Sequence, residues 1–276
     1  MPLEDEVGDV IEKAMRRGNL TPDEVGRRAG VPAAKIQDAI DYRPALNVDE
    51  LGRIARVLGL NEVGLCALAS GRYPQPELGT LPFSVWPLQM PHGIGVANAY
   101  LVAECGSSRA VLFDTGADIE ALQAVWPQTV HQLDAVFLTH VEAEHVGGLC
   151  EVVRRFGAPD AFIPTGAVAP CAQPIADGQT KTFGRIEVEA IATPGHSAAH
   201  NCYLVRAPIA RLGPAMLVSG DLLFAGSVGG AFFSAEQLHA SLRRVLAMVE
   251  PSTVIAPGHG PLTSVGTELK YNPFVV

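Results

Sequence analysis

Four short apolar runs in the second half of the chain end on, or beside, a side chain that can bind a metal ion. The runs are FLTH with His140, ATPGH with His196, LVSGD with Asp221 and IAPGHG with His259. Apolar runs of this length that end in turn residues predict strands. Because the carboxyl ends of strands in one sheet system open onto a common edge, we expect these four side chains to converge there.

The segment THVEAEHVGG adds four titratable side chains within six positions. His140 and Glu142 are two residues apart, which on a helix would place them on nearly opposite sides, so an extended loop is expected there. Glu144 and His145 are adjacent and diverge from the first pair, so they can serve a second centre. Two cations bridged by Asp221 would compensate this crowding of carboxylates and imidazoles.

Helical patterns such as DIEALQAVW and AEQLHASLRRVLAMV alternate with the strands, which indicates a layered α/β sandwich. The ordered motifs DTG, THVEAEH, TPGHS, SGD and PGHG, within residues 83–276, resemble those of the metallo-β-lactamase-fold superfamily. The tail APGHGPLTSVGTELKYNPFV is similar to that of its glyoxalase II-like hydrolases. The resemblance implies an αβ/βα sandwich, an α+β fold, with a dinuclear metal site at one edge.

By position, the resemblance implies seven metal ligands. They are His140, Glu142 and His196 for one metal, Glu144, His145 and His259 for the other, and Asp221 between the two. Glu142 replaces a histidine of the usual T-H-x-H-x-D-H motif, and Glu144 replaces its aspartate. Glu142 is a hard anionic ligand, which moves the metal preference from zinc towards iron or manganese. The H-x-E pattern resembles the di-iron branch of the superfamily, so we expect two divalent ions of iron, manganese or zinc.

Three functions follow from these resemblances. In a hydrolase, a hydroxide held between the metals attacks the acyl carbon of a small ester or thioester, with Asp221 and Glu144 as the catalytic residues that orient it. In a di-iron redox enzyme, the metals use oxygen or nitric oxide, with electrons from a separate donor. The third function is a DNA-binding regulator that senses a metal or ligand. The tail favours hydrolysis and Glu142 favours iron, so hydrolysis is the leading prediction.

The run AGSVGGAFF differs from that of glyoxalase-like thioesterases, which carry an arginine where this chain has Gly230. This difference argues against glutathione thioesters. Phe232 and Phe233 indicate a more hydrophobic acyl group or an apolar pocket, with ordinary core packing as the alternative. His92 and His200 are further candidates for contact with substrate or for support of the ligands from behind.

Residues 1–72 form consecutive short helical patterns. LTPDEVGRRAG begins with Thr21 as N-cap and closes a capping box with Glu24, and AAKIQDAI follows a short turn. This resembles the helix-turn-helix module of the Cro/repressor-like family, which implies contact with DNA. The region carries 10 Lys and Arg against 12 Asp and Glu, whereas specific DNA readers rest on several phosphate-neutralising cations. A helical cap or a module that forms a homodimer is therefore favoured over DNA binding.

The 276 residues suffice for one large domain or for a large and a small one. The Pro- and Gly-rich stretch at 73–82 predicts a linker between a helical domain, 1–72, and a catalytic domain, 83–276. The formal net charge of -9 argues against the whole protein coating nucleic acid or an anionic membrane. With no secretory signal, no long apolar run and five scattered cysteines interpreted as buried reduced thiols, a cytoplasmic protein is expected.

Overall fold

The computed structural model describes residues 1–43, 45–93, 95–157, 159–207 and 213–276. The amino-terminal part of the chain is helical. Its helices are Val7–Gly18 (α1), Pro22–Ala29 (α2), Ala33–Ile40 (α3), Val48–Leu58 (α4) and Glu62–Ala69 (α5).

Capping residues set the ends of the short helices, as the sequence predicts for α2. The backbone N–H of Glu24 donates to Thr21 Oγ1 at 3.3 Å, and the Glu24 carboxylate accepts from the backbone N–H of Thr21 at 2.9 Å. Asn47 and Glu50 make the same reciprocal pair at the start of α4. Gly30 closes α2 in the left-handed region, at a φ of 63° that a residue with a Cβ rarely adopts.

Within the described residues, the rest of the chain forms two six-stranded sheets and a small hairpin. The first sheet has the order β1-β2-β3-β4-β5-β6, with strands Ser84–His92 (β1), Gly95–Ala103 (β2), Arg109–Phe113 (β3), Gln132–Phe137 (β4), Asp160–Pro164 (β5) and Gln173–Ile175 (β6). The remaining strands are Thr180–Phe183 (β7), Ile186–Ala192 (β8), Asn201–Arg206 (β9), Met216–Gly220 (β10), Leu223–Phe224 (β11), Ser227–Val228 (β12), Val254–Pro257 (β13) and Thr263–Ser264 (β14). The second sheet has the order β14-β13-β10-β9-β8-β7, and β11 pairs with β12 in the hairpin.

Five further helices lie between or after these strands: Ile119–Ala124 (α6), Ala143–Val146 (α7), Leu149–Arg155 (α8), Ala235–Met248 (α9) and Val265–Tyr271 (α10). The two sheets face each other across an aromatic core in which the ring of Phe137 lies 5.1 Å from that of Tyr203. Leu122 and Val152, from α6 and α8, pack on the outer face of the first sheet. Leu242 of α9 and the amino-terminal helices cover the second sheet. The predicted αβ/βα sandwich with a small helical region is therefore confirmed.

The amino-terminal helices share one hydrophobic core with the outer face of the second sheet. The backbone N–H of Asn61 donates to the carbonyl oxygen of Pro273 at 2.8 Å, and α5 contacts α10. Tyr73, at the start of the predicted linker, is buried. Because the helical region and the sandwich pack together in one core, the structure shows no separation at 73–82 among the described residues, and the predicted domain boundary stays a prediction.

Glu268 of α10 lies at the junction between the helical region and the sandwich and accepts hydrogen bonds from several segments that meet there. Its carboxylate accepts hydrogen bonds from Tyr73 Oη at 2.9 Å, Thr263 Oγ1 at 2.7 Å, Asn272 Nδ2 at 2.8 Å and the backbone N–H of Gly226 at 3.0 Å. Burial raises the pKa of this carboxyl, and the four hydrogen bonds oppose that rise. One side chain thus ties the linker, the β11–β12 hairpin and the last helix together.

We expect Glu268→Ala to lower the free energy of unfolding by about 3 kcal/mol, because four donors at a buried junction lose their acceptor together. Urea denaturation followed by circular dichroism measures the change. Glu236→Ala, on the exposed side of α9, is the matched control and is expected to change the value by less than about 0.5 kcal/mol. A Glu268 variant as stable as the control would show that the junction does not depend on this carboxylate.

The cysteines differ from the expectation of buried thiols. Cys202 is buried, but Cys105 and Cys171 are exposed and Cys66 is partly exposed. Cys150 is also partly exposed, and its Sγ lies 3.6 Å from Cys171 Sγ. Among the described residues, no helix has both the length and the apolar character that crossing a membrane requires.

Candidate metal centre

The strand ends meet at one edge of the sandwich, as the sequence predicts. His140 follows β4, His196 follows β8, Asp221 follows β10 and His259 follows β13. The segment after β4 is extended at Glu142, with φ -74° and ψ 151°, before α7 begins. This extended backbone is what allows side chains two residues apart to point to the same site.

Three groups of possible donor atoms, each with its atoms within 4.8 Å of one another, lie at this edge. They are His140, Glu142 and His196; His140, His145 and Asp221; and Glu144, His145 and His259. Asp221 lies between the outer groups, because its Oδ2 is 3.7 Å from His196 Nε2, in the first group, and 3.5 Å from His259 Nε2, in the other. The structure thus brings together all seven residues predicted as metal ligands.

Backbone carbonyls fix two of the imidazoles. His196 Nδ1 donates to the carbonyl oxygen of Gly230 at 2.8 Å, and His259 Nδ1 donates to that of Val96 at 2.9 Å. Because a carbonyl can only accept, each Nδ1 carries the proton and each Nε2 offers its lone pair in the neutral ring. A hydrogen bond of this kind is the usual outer partner of a metal-binding histidine.

Asp114, in the DTG motif, fixes the other two imidazoles. Its Oδ2 accepts from His145 Nδ1 at 3.0 Å and from Thr139 Oγ1 at 2.9 Å, while its Oδ1 accepts from the backbone N–H of Thr139. Since the Thr139 hydroxyl proton is used by Asp114, His140 Nδ1 donates to Thr139 Oγ1 at 2.9 Å. Burial lowers the pKa of His140 well below its usual value, which keeps the ring neutral.

Several of the converging atoms are buried without a hydrogen-bond partner among the described residues. They are Nε2 of His140, His145 and His196, and Oδ1 of Asp221. An unpaired buried polar atom costs free energy comparable to a lost hydrogen bond, and here four such atoms face one space. Imidazole nitrogens with carboxylate oxygens are a donor set that suits divalent iron, manganese or zinc. The residues present therefore fit two divalent cations.

Asp221 is held in place by small neighbours. A Cβ on Gly258 would lie 2.2 Å from Asp221 Oδ1, a distance at which the carboxylate would have to move. Although burial raises the pKa of Asp221, the neighbouring imidazoles of His259 and His145 hold that pKa well below its usual range. The site therefore contains an ionised carboxylate that is only 6% exposed.

His200 lies behind Asp221 and not in the cavity where the sequence led us to expect contact with substrate. It is 2% exposed and lies outside the cavity wall. Its Nε2 accepts from the backbone N–H of Asp221 at 3.1 Å, and its Nδ1 contacts Thr193 Oγ1 at 2.8 Å. Burial lowers the pKa of His200 to about 3, so the ring is a neutral acceptor. Its position supports the second sequence-based interpretation, support of a ligand from behind.

We expect His200→Ala to weaken metal binding about tenfold without changing the number of metals at saturation, because the Asp221 backbone loses its fixed acceptor. Competition with a chromophoric chelator measures the affinity. His131→Ala, at an exposed position, is the control and is expected to bind as the unsubstituted protein does. Loss of a whole metal equivalent in His200→Ala would instead make His200 a ligand.

A cavity of about 590 Å³ opens over the metal centre. Of the predicted substrate contacts, His92 and Phe232 line it. His92 Nε2 lies 3.7 Å from Glu144 Oε1, and the 74%-exposed ring of Phe232 lies 5.3 Å from that of His196. Phe233 does not line the cavity: its side chain is exposed, and its backbone N–H donates to the carbonyl oxygen of His196 at 3.1 Å.

Sequence reasoning missed the opposite wall of the cavity, which comes from the amino-terminal segment. Five charged residues of α1 line it: Asp9, Glu12, Lys13, Arg16 and Arg17. Their spacing of i, i+3, i+4, i+7 and i+8 is that of one face of a helix, and this periodicity is the feature of the sequence that could have identified them as a group. A charged helical face is most often solvated, so the sequence alone gave no reason to bring this one to the metal site.

The αβ/βα sandwich and the metal-type donors at its edge define a class of metal-binding proteins. A model of the Metallo-beta-lactamase superfamily matches residues 92–259, more than half of the chain, and the protein belongs to this superfamily. The expectation drawn from the sequence motifs is thus confirmed at the level of the superfamily.

Individual relatives are similar over the same part of the chain. Hydroxyacylglutathione hydrolase of Acidiphilium cryptum is 37% identical over 169 residues, which cover 58% of this chain and 63% of that protein, less than two thirds of its length. The structure of TTHA1623 in a di-iron-bound form is 31% identical with a TM-score of 0.53, and covers 68% of this chain and 99% of that one. The structure of BLEG-1 B3 metallo-beta-lactamase is 26% identical with a TM-score of 0.56, and the match covers 70% of this chain and 100% of that one.

Proposed function

We propose that the protein is a metal-dependent hydrolase that cleaves a small ester or thioester with two divalent cations. The observation that carries the proposal is the set of unpaired Nε2 and carboxylate atoms that converge at the floor of the cavity. A relative that is 37% identical is a hydroxyacylglutathione hydrolase, which supports a thioester in particular. The cations, when bound, lower the pKa of a coordinated water and polarise an acyl carbonyl.

The chain's own residues divide into holders and proton carriers. His140, Glu142 and His196 would hold one cation, His145 and His259 would hold the other, and Asp221 would be shared by both. Glu144 has a partly exposed carboxylate beside His92 in the cavity wall, so these two groups can accept and release a proton near the reacting bond. Phe232 lines the cavity with an apolar ring that would exclude water from one side of a bound substrate.

Hydrolysis of a thioester panel tests this function. Protein reconstituted with iron, manganese or zinc in separate samples is expected to hydrolyse an acyl thioester of the panel, and removal of the metal with a chelator is expected to stop it. Thiol release is measured with a chromogenic disulfide reagent. Fully metal-loaded protein that turns over no ester or thioester in the panel contradicts the proposal.

A di-iron oxygen-using enzyme is the second candidate, and Glu142 favours it. Glu142 Oε1 lies 3.1 Å from His196 Nε2, so a hard carboxylate oxygen takes part in the first donor group. A protein of known structure with 31% identity is described in a di-iron-bound form. Such an enzyme would require a separate electron donor. Oxygen consumption by iron-loaded protein with a chemical reductant, above that of the zinc-loaded form, would support it.

The regulator remains a prediction without a favouring observation. Lys35, which a DNA-reading α3 would use, forms a 2.7 Å ion pair with Glu50, and Arg43 pairs with Asp38. Phosphate groups would have to replace these carboxylates as partners of the two cations. The predicted homodimer and the cytoplasmic location likewise stay predictions.

A further inference from the structure

One face of α1 runs along the cavity for about 12 Å, eight residues at 1.5 Å each. The residues of the opposite face pack into the core of the helical region: Val10, Ile11, Ala14 and Met15. An amphipathic helix normally turns its charged face to solvent, but here that face forms a wall of the cavity over the metal centre. The superfamily match, residues 92–259, does not include α1.

Contacts with the sandwich fix α1 in this position. Lys13 Nζ donates to the carbonyl oxygen of Val228 at 2.8 Å, and Arg17 Nη1 contacts His239 Nε2 at 2.6 Å. Just before the helix, the carboxylate of Asp5 accepts from Ser227 Oγ. The wall is therefore built into the fold at both ends of the helix.

The cavity is continuous from the metal centre to this wall. The ring of Phe224 lies 5.7 Å from that of His259 and 5.5 Å from Lys13 Nζ, so one apolar side chain connects the two ends. Further along, Arg17 lies over the ring of Phe274, at 5.9 Å. A substrate cleaved at the metals therefore has room for a long group that extends over an apolar surface to the end of α1.

Arg16 is the most exposed of the cations on this wall, which also carries the carboxylates of Glu4, Asp5, Asp9 and Glu12. Among the described residues that line the cavity, the Lys and Arg side chains are Lys13, Arg16 and Arg17. Lys13 and Arg17 are half-buried and donate to backbone carbonyls. Arg16 forms a single ion pair, 2.8 Å to Glu12, with side chains 69% and 40% exposed. A solvated pair of this kind contributes about 0–1 kcal/mol, so its exchange for another carboxylate costs little.

We propose that Arg16 is a specificity-determining residue that binds a carboxylate on the leaving group of the substrate. The inference rests on the proposed hydrolysis, and it names the substrate class as an acyl thioester of a long, carboxylate-bearing thiol. The acyl group lies over the metals, and the carboxylate replaces Glu12 as the partner of Arg16. Glu12 therefore competes with the substrate for the same guanidinium.

Binding of a ligand that cannot be hydrolysed tests the inference apart from catalysis. The probe is S-hexylglutathione, a thioether with two carboxylates, and the comparison ligand is S-hexyl-N-acetylcysteamine, which has none. Calorimetric titration of metal-loaded protein measures both Kd values. The variants are Arg16→Gln, Arg16→Lys and Glu12→Gln, and the control is Arg56→Gln, an exposed ion-paired arginine on α4.

We expect Arg16→Gln to raise the Kd of S-hexylglutathione about tenfold and to leave that of the cysteamine thioether unchanged. Arg16→Lys is expected to recover part of the loss, because it restores the charge without the two-pronged geometry. Glu12→Gln is expected to lower the Kd of S-hexylglutathione, since it releases Arg16 from its ion pair. If the ion pair had only a structural role, the Arg16 and Glu12 substitutions would change this Kd in the same direction.

Two results overturn the inference: an unchanged Kd in Arg16→Gln, or no binding of S-hexylglutathione to the metal-loaded protein. The hydrolytic proposal fails separately. If Arg16 controls the Kd as expected but no glutathione or cysteamine thioester is cleaved, the carboxylate site stands and the chemistry at the metals is different.

Discussion

Asp221→Ala is expected to lower kcat/KM for thioester hydrolysis by about 10³ and to reduce the metal content from two equivalents to one or fewer. Asp221 is the carboxylate between the donor groups, and its oxygens lie 3.5–3.7 Å from Nε2 of three histidines. Its removal leaves those nitrogens without the anion that offsets two cations. Metal analysis of the purified variant, with initial rates on the same sample, measures both effects.

Asp221→Asn separates charge from shape. The amide keeps the volume of the carboxylate beside Gly258 but carries no charge, so we expect a metal loss as large as that of the alanine variant. Circular dichroism is the check on folding. Two tightly bound metals and unchanged turnover in either variant would show that Asp221 does not bridge them.

Glu142→Ala is expected to lose one metal equivalent, with kcat/KM reduced by about 10² or more, because Glu142 is the single anionic donor in the group that it forms with His140 and His196. Glu142→His restores the usual motif of the superfamily. In medium with equal iron and zinc, we expect this variant to shift the ratio of bound iron to bound zinc towards zinc by about tenfold. Elemental analysis gives the ratio.

Glu151→Ala, on the exposed side of α8, is the matched control for handling and metal contamination. If Glu142→Ala keeps both equivalents, the carboxylate lies beside the metals without binding them. If Glu142→His leaves the metal ratio unchanged, the choice of metal is set elsewhere in the site.

The sequence predicted the convergence of the candidate metal ligands because these residues follow strands. A strand that ends on His140 or Asp221 places that side chain at a sheet edge, and parallel pairing of β3 with β4 and of β10 with β13 brings such ends together. Order along the chain was enough to match each ligand to a motif. The tautomers of the histidine side chains could not be predicted from the sequence, because they depend on three-dimensional contacts such as that of His259 Nδ1 with the carbonyl oxygen of Val96.

The positions of side chains next to the candidate ligands were predicted less well, because the direction in which a side chain points depends on the local backbone geometry. His200 is four residues after His196, but it belongs to the strand side of the turn and contacts the backbone of Asp221 from behind. Phe233 follows Phe232 directly, and adjacent side chains diverge, so only Phe232 lines the cavity. Proximity in sequence gave no means to tell these cases apart.

The role of α1 was hidden because it depends on packing between distant segments. Capping boxes and apolar spacing identify the helices, as at Thr21 and Asn47, but they carry no information on what the charged face will meet. Contacts such as that of Lys13 with Val228 join residues far apart in the chain. The helix-turn-helix resemblance rests on local spacing alone, stays a prediction, and left the docking of α1 undetermined.

Metal titration of the chelator-treated protein, followed by elemental analysis after desalting, tests the central claim most directly. If the converging imidazoles and carboxylates form a dinuclear site, each chain binds two equivalents of a divalent metal, and His145→Ala binds fewer because His145 belongs to two of the three donor groups. A folded protein that retains no metal under any of these conditions, or whose metal content is the same in His145→Ala, would contradict it.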